Sequence, residues 1–171
     1  MTVGTRNIDR NGSRPTPRNP VQLVARLVLG AALLFAGVGH LTAQRIEFQA
    51  QVPSWFPADP DLVVVVSGVV EILLGGALIL AGRWAPQVGV IVAVFFVVIF
   101  PGNVAQYVER RDAFGLDSDL ARLVRLAFQP LLVIWALWSS GAWGWLSSQY
   151  QQRFTGDRDR LTPPANRNGP R

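Results

Sequence analysis

LVVVVSGVVEILLGGALILA, residues 62–81, decides how this chain is read. Every residue in it is apolar or small except Ser67 and Glu71. The run reaches the ~20 residues that a helix needs to cross about 30 Å of hydrocarbon. In lipid a helix satisfies its own backbone hydrogen bonds, so a spanning helix is the economical structure for such a run. Ser67, Glu71 and Gly75 recur at i, i+4 and i+8, and Gly68 lies three residues before Glu71. The carboxylate is therefore expected on a small-residue face, and small residues let neighbouring helices approach closely. Nine residues separate Glu71 from Leu62, a depth of about 13 Å at ~1.5 Å per residue. An acid that deep is costly unless it is paired, wetted or neutralised.

Three further apolar segments surround this one: Val21–Leu41, about Val88 to Val108, and roughly Leu123–Trp145. Together they predict an all-α integral membrane four-helix bundle over residues 21–150. A soluble bundle is the competing reading, but the runs lack the polar face that a surface helix of a soluble domain carries. A cleaved signal peptide is an alternative for the first run. That run is long, however, and LTA after it is a poor small-x-small cleavage site. Residues 1–20 and 151–171 are rich in Arg, Asn, Gly and Pro, and are expected to be disordered cytoplasmic tails.

Half of the 171 residues are hydrophobic and the net charge is +5. All sixteen basic residues are arginine, as expected of a GC-rich bacterial source. They lie in loops and tails and form no aromatic-interleaved basic face, so a nucleic-acid partner is set aside. With no cysteine there is no disulfide, thiolate zinc site or iron–sulfur cluster, and one histidine does not make a metal site. Eleven arginines fall on the side of the two termini and five on the other. The positive-inside rule then puts both termini in the cytoplasm of a multi-pass protein of the cell (plasma) membrane. On the outer side, RIEFQAQV is expected as a short interfacial helix ending before Pro53, with WFP on the bilayer surface or capping the bundle. Asp117–Ser118–Asp119 is expected to cap the fourth helix.

The polar residues inside the runs gather in the outer half. His40 shares a face with Ala32, Ala36 and Gly39; Arg122, Arg125 and Gln129 recur at i, i+3 and i+7; Asn103 follows Pro101, which removes a backbone donor. They predict an outward-opening polar pocket of Glu71, His40, Asn103, Arg125 and Gln129, with Glu71 at its floor. Ser67, Gly68, Gly75, Ala36 and Gly39 are expected to pack helices. Each polar residue also has a structural reading. Glu71 can act as a neutral carboxyl that fixes packing, and His40 can be an idle interfacial residue. Arg122 and Arg125 can snorkel to headgroups, and Asn103 and Gln129 can mend backbone bonds near Pro101 and Pro130.

FAGVGHL (35–41), VPSWFP (52–57), SGVVEILLGGALIL (67–80), FPGNVAQYV (100–108) and RLAFQPLLVIWAL (125–137) stand in an order that resembles DoxX-like membrane proteins. The resemblance covers roughly residues 21–140. It implies a four-helix integral membrane protein of bacterial type with a link to quinone-dependent redox chemistry. Without cysteine, thiol–disulfide exchange by the chain's own residues is excluded.

Three functions fit these observations. One is a non-catalytic or accessory subunit that assembles with envelope proteins or with itself in the lipid bilayer. Another is a redox subunit that holds a quinone or other small lipophile without a covalent link, Glu71 relaying a proton and His40 or Arg125 orienting a carbonyl. The third is a small transporter, which four helices would support only as an oligomer. No nucleophile–base pair, phosphate loop or metal set points to an enzyme acting alone.

Overall fold

The computed structural model describes residues 19–115 and 118–161, and among these the structure is helical with no strand. The chain runs α1 (Pro20–Leu41), α2 (Arg45–Gln49), α3 (Pro60–Leu80), a 3-10 turn at Gly82–Trp84, α4 (Ala85–Val108), α5 (Asp119–Ser139) and α6 (Ala142–Leu161). Four of these, α1, α3, α4 and α5, are long and apolar enough to cross a membrane. The fold is an all-α four-helix bundle.

Local chemistry sets the helix ends. Asn19 accepts from Val21 N at 3.0 Å, and Asp59 accepts from Leu62 N at 3.0 Å. A proline follows each cap at the first helical position, where a missing N–H costs nothing. Ser118 caps α5 by accepting from Ala121 N at 3.3 Å. Leu80 leads into α4 through only a few residues, because Gly82 adopts φ +47° and Trp84 N bonds Ala81 O at 2.7 Å.

Two helix pairs make the bundle. α1 packs along α3, and α4 along α5; α1 also touches α5, whereas α3 and α4 meet at few positions despite being consecutive. Glycine brings the first pair together. A Cβ on Gly37 would lie 2.6 Å from Gly68 O, and one on Gly75 would lie 2.6 Å from Gly30 O. Backbone therefore meets backbone at two levels of the antiparallel pair. The expected packing set divides on this point. Gly68 and Gly75 face α1, but Ser67 and Ala36 line a cavity, and Gly39 lies under the side chains of Gln44 and Phe48. Smallness marks where something comes close, and at these three positions that something is open space or a loop.

Leu29, Leu33, Leu78, Val92, Ala93, Phe96 and Ala136 form the dry core, in the half of the bundle that holds the start of α1 and the end of α5. Trp135 Nε1 donates to Ala25 O at 3.1 Å and Gln22 Nε2 to Trp138 O at 3.0 Å, which ties α1 to α5 there. Large side chains such as Phe35, Leu73, Leu80 and Val98 point outward. That arrangement is unfavourable in water and natural where lipid is the solvent.

Two expectations are corrected. The fourth run ends at Ser139 instead of reaching Trp145, because Gly141 at φ +75° breaks the helix and Trp143 and Trp145 begin α6. The tail expected at 151–171 is helical as far as Leu161; residues 162–171 lie outside the described residues. The N-terminal tail also lies outside them, apart from Asn19 and Pro20, which cap and open α1.

Candidate ligand-binding site

Opposite the dry core, the bundle is not filled. A cavity of about 1130 Å³ lies among the end of α1, the first half of α3, the second half of α4, the first half of α5 and the loop carrying α2. Ligand pockets commonly run ≈ 300–1,000 Å³, so this one has room for a drug-sized molecule or more. Its walls are mostly apolar, including Leu62, Val66, Val98 and Phe128, which are also exposed on the outside of the helices. The cavity thus reaches the bundle's lateral surface. Trp55 and Phe56 of the WFP stretch also line it, and both remain exposed.

His40, Glu71, Asn103, Arg125 and Gln129 all line this one cavity. His40 and Glu71 are both buried, with Nδ1 and Oε2 3.1 Å apart. The same nitrogen lies 2.9 Å from Ala36 O. A carbonyl only accepts, so Nδ1 carries a proton and directs it to Ala36. The contact with Glu71 Oε2 is then mainly electrostatic, and that oxygen has no hydrogen-bond donor among the described residues. Phe48 of the short helix α2 stacks on the imidazole, with centroids 3.4 Å apart and planes 17° from parallel. Phe114 meets Phe48 edge-on at 4.6 Å. The histidine is therefore fixed from three sides.

Asn103 and Gln129 form a buried amide pair. Asn103 Nδ2 donates to Gln129 Oε1 at 2.8 Å, and Gln129 Nε2 donates to Phe96 O at 2.8 Å. Pro101 withholds the backbone donor that Val97 O would otherwise receive. Gln129 binds the adjacent carbonyl, so this pair stitches α4 to α5 beside the proline. Arg125 is half-buried and stands 4.9 Å over the Phe114 ring. Arg122, one turn earlier, is buried but lies outside the cavity lining, where it holds Asp112 at 2.6 Å and Asp119 at 2.9 Å.

The loop carrying α2 is fastened over the site. Arg45 pairs with Asp61 at the head of α3, Nε to Oδ1 at 2.6 Å, with Gln49 adding 3.0 Å to the same oxygen. Arg111 donates to Val52 O at 2.9 Å and meets Glu109 at 2.6 Å. Burial works against the charged Glu109 carboxylate, but bonds from the Ser54 hydroxyl and amide and the nearby Arg111 outweigh it and hold Glu109 below its ordinary value. This tie is in place at neutral pH and weakens as pH falls through that lowered value. Loop backbone also lies against α4, since a Cβ on Gly102 would come 2.6 Å from Gln51 O.

Sequence reasoning did not single out Phe48, Phe114 or Gln51 as site residues, yet all three line the cavity. They lie in loops or a five-residue helix, where no periodicity shows which way a side chain turns. The available signal was the cluster of aromatic residues in otherwise polar outer segments.

Fold and cavity define a four-helix membrane protein with a cavity in one half of its bundle. Residues 29–140 match the family described as a domain of unknown function, DUF8561, and the chain belongs to that family. No curated protein and no solved structure matches the chain.

Proposed function

We propose that this chain is a non-catalytic membrane subunit that binds a small lipophilic molecule in the cavity between its two helix pairs. The carrying observation is a cavity of about 1130 Å³ with apolar walls, whose lining includes Glu71, His40 and Arg125. An apolar enclosure with a few placed polar groups is the usual form of a small-molecule site. Among the described residues no nucleophile–base pair accompanies them, which favours binding over turnover. A quinone is the candidate that the resemblance to DoxX-like proteins favours, and it would give the subunit a redox link to an envelope complex. The arginine distribution favours a bacterial cell-membrane protein with both termini cytoplasmic, the cavity then opening in the outer half of the bilayer.

A neutral alkyl alcohol bearing a photoactivatable group tests the binding reading on protein purified in mild detergent. Label is expected on residues 62–71 and 95–103. Ser67→Trp, which fills the cavity from α3, is expected to remove most of it while the protein stays monodisperse. Equal labelling of the two proteins would overturn the reading. Topology is tested separately: reporters fused to either end should both report the cytoplasm, and one inserted at residue 115 the outside. Reporters placing the two ends on opposite faces would defeat the four-span arrangement.

A further inference from the structure

Two charged side chains line the cavity, Glu71 and Arg125, and the way each is met locally says what the lipophile carries at its head. At this end of the bundle Arg45 is matched by Asp61, Arg111 by Glu109, and Arg122 by Asp112 and Asp119. Glu71 has the Nδ1–H of His40 3.1 Å from its Oε2. Arg125 is different. It lines the cavity, and among the described residues its guanidinium has no hydrogen bond and no acid within ion-pair distance; its neighbour is the Phe114 ring. A ring face supplies part of what a cation lacks but leaves its N–H donors unused.

A second donor in the same lining is also unused. Gln51 Nε2 is fully buried and has no hydrogen-bond partner among the described residues. Its backbone cannot readily turn away, because Gln51 O lies against α4 at Gly102. Leaving a buried donor unsatisfied costs roughly 1–3 kcal/mol. One cation and one neutral donor of the lining therefore lack acceptors, and one acid oxygen, Glu71 Oε2, lacks a donor, in a cavity whose remaining surface is mostly apolar.

We infer that the occupant is an anionic amphiphile, its carboxylate or phosphate oxygens held by Arg125, with the Gln51 amide rotating to meet them, and its chain laid along the apolar walls of α3 and α4. This rests on the lipophile reading above and narrows it. The planar guanidinium offers a fork that fits either oxyanion. Leu62, Val66 and Val98 border the cavity and the outside of the bundle alike, so a chain longer than the cavity can continue into the bilayer. A quinone head offers neutral carbonyls, which leave the Arg125 charge uncompensated.

Competition against the photoactivatable alcohol decides the matter, using the full chain in neutral detergent at low salt. The competitors are a long-chain fatty acid, the alcohol of the same chain, phosphatidic acid and phosphatidylcholine. The acid or phosphatidic acid is expected to compete about tenfold better than its uncharged or zwitterionic match, the gain of one charge-assisted contact. Whichever of the two leads identifies a free carboxylate or a lipid headgroup as the source. Arg125→Gln should abolish the preference and leave competition by the alcohol unchanged, and Gln51→Leu should reduce it. If Arg125→Gln does not fold, the wild-type comparison of acid with alcohol still decides. Equal competition by acid and alcohol, or a quinone outcompeting both anions, overturns the anionic head and leaves the lipophile reading standing. Failure of the alcohol probe itself to label the cavity removes both.

Discussion

Gly75→Leu should break the α1–α3 pair, whereas Gly76→Leu, one residue further on, should be silent. A Cβ at Gly75 would lie 2.6 Å from Gly30 O and 2.9 Å from Leu34 N, both backbone atoms of a packed helix. Neither can swing aside as a side-chain tip can. A leucine there must separate the helices or distort them, and overpacking of this kind costs typically 1–3 kcal/mol, occasionally more. We expect about 3 kcal/mol, since the second level of contact at Gly37 and Gly68 would be pried open with the first. At Gly76 nothing lies within 4 Å of the added atom. Leucine is also the better helix former by about 0.8 kcal/mol, so this change should be neutral or slightly stabilising. Unfolding midpoints of the two variants in the same detergent make the comparison. Similar losses for both would mean that the α1–α3 contact is not what holds this half together.

His40→Leu should destabilise the protein more than the loss of both members of its pair. Glu71 and His40 are buried together, and Phe48 covers the imidazole. Taking the imidazole away leaves the buried Glu71 carboxyl without the Nδ1–H beside it, at a cost of about 3 kcal/mol. Replacing both by apolar residues removes the desolvation cost as well as the attraction, which is often neutral or stabilising. Glu71→Leu combined with His40→Leu should therefore recover much of what His40→Leu loses, with a coupling of about 1–3 kcal/mol between the sites. Glu71→Gln keeps the shape and should cost about 1 kcal/mol. If His40→Leu matches the unaltered protein in thermal unfolding, the pair does not contribute to the fold.

Much of this architecture is legible in the sequence because lipid imposes a strong rule. A run such as residues 62–81 must be about 20 residues long and apolar to cross the bilayer, and residues that violate the rule stand out. Glu71, His40, Asn103, Arg125 and Gln129 stood out in this way, and a common depth placed them near one another; the structure sets all five around one cavity. What composition does not carry is direction. Ala36 and Ser67 are also small, yet they border open space. The decisive signal was a matched spacing: Gly30 and Gly37 are seven apart, as are Gly68 and Gly75, which suits two antiparallel helices touching at two levels. Helix α6 was missed for a different reason. Its sequence is polar and lacks an apolar stripe, so nothing distinguished it from a tail.

The turn at Gly82 has a bearing on how the cavity is sized. α3 and α4 are held together there by a few residues, touch little along their length, and enclose the cavity only at their far ends. This is the geometry of a pair of compasses. With arms of about 30 Å, at ~1.5 Å rise per residue, opening the angle by about 5° parts the points by about 2.6 Å. Trp84 and Arg83, whose guanidinium lies 5.4 Å over the indole, sit at the pivot and outside the cavity lining. A change of angle at this turn is thus magnified at the cavity, at the other end of the two helices.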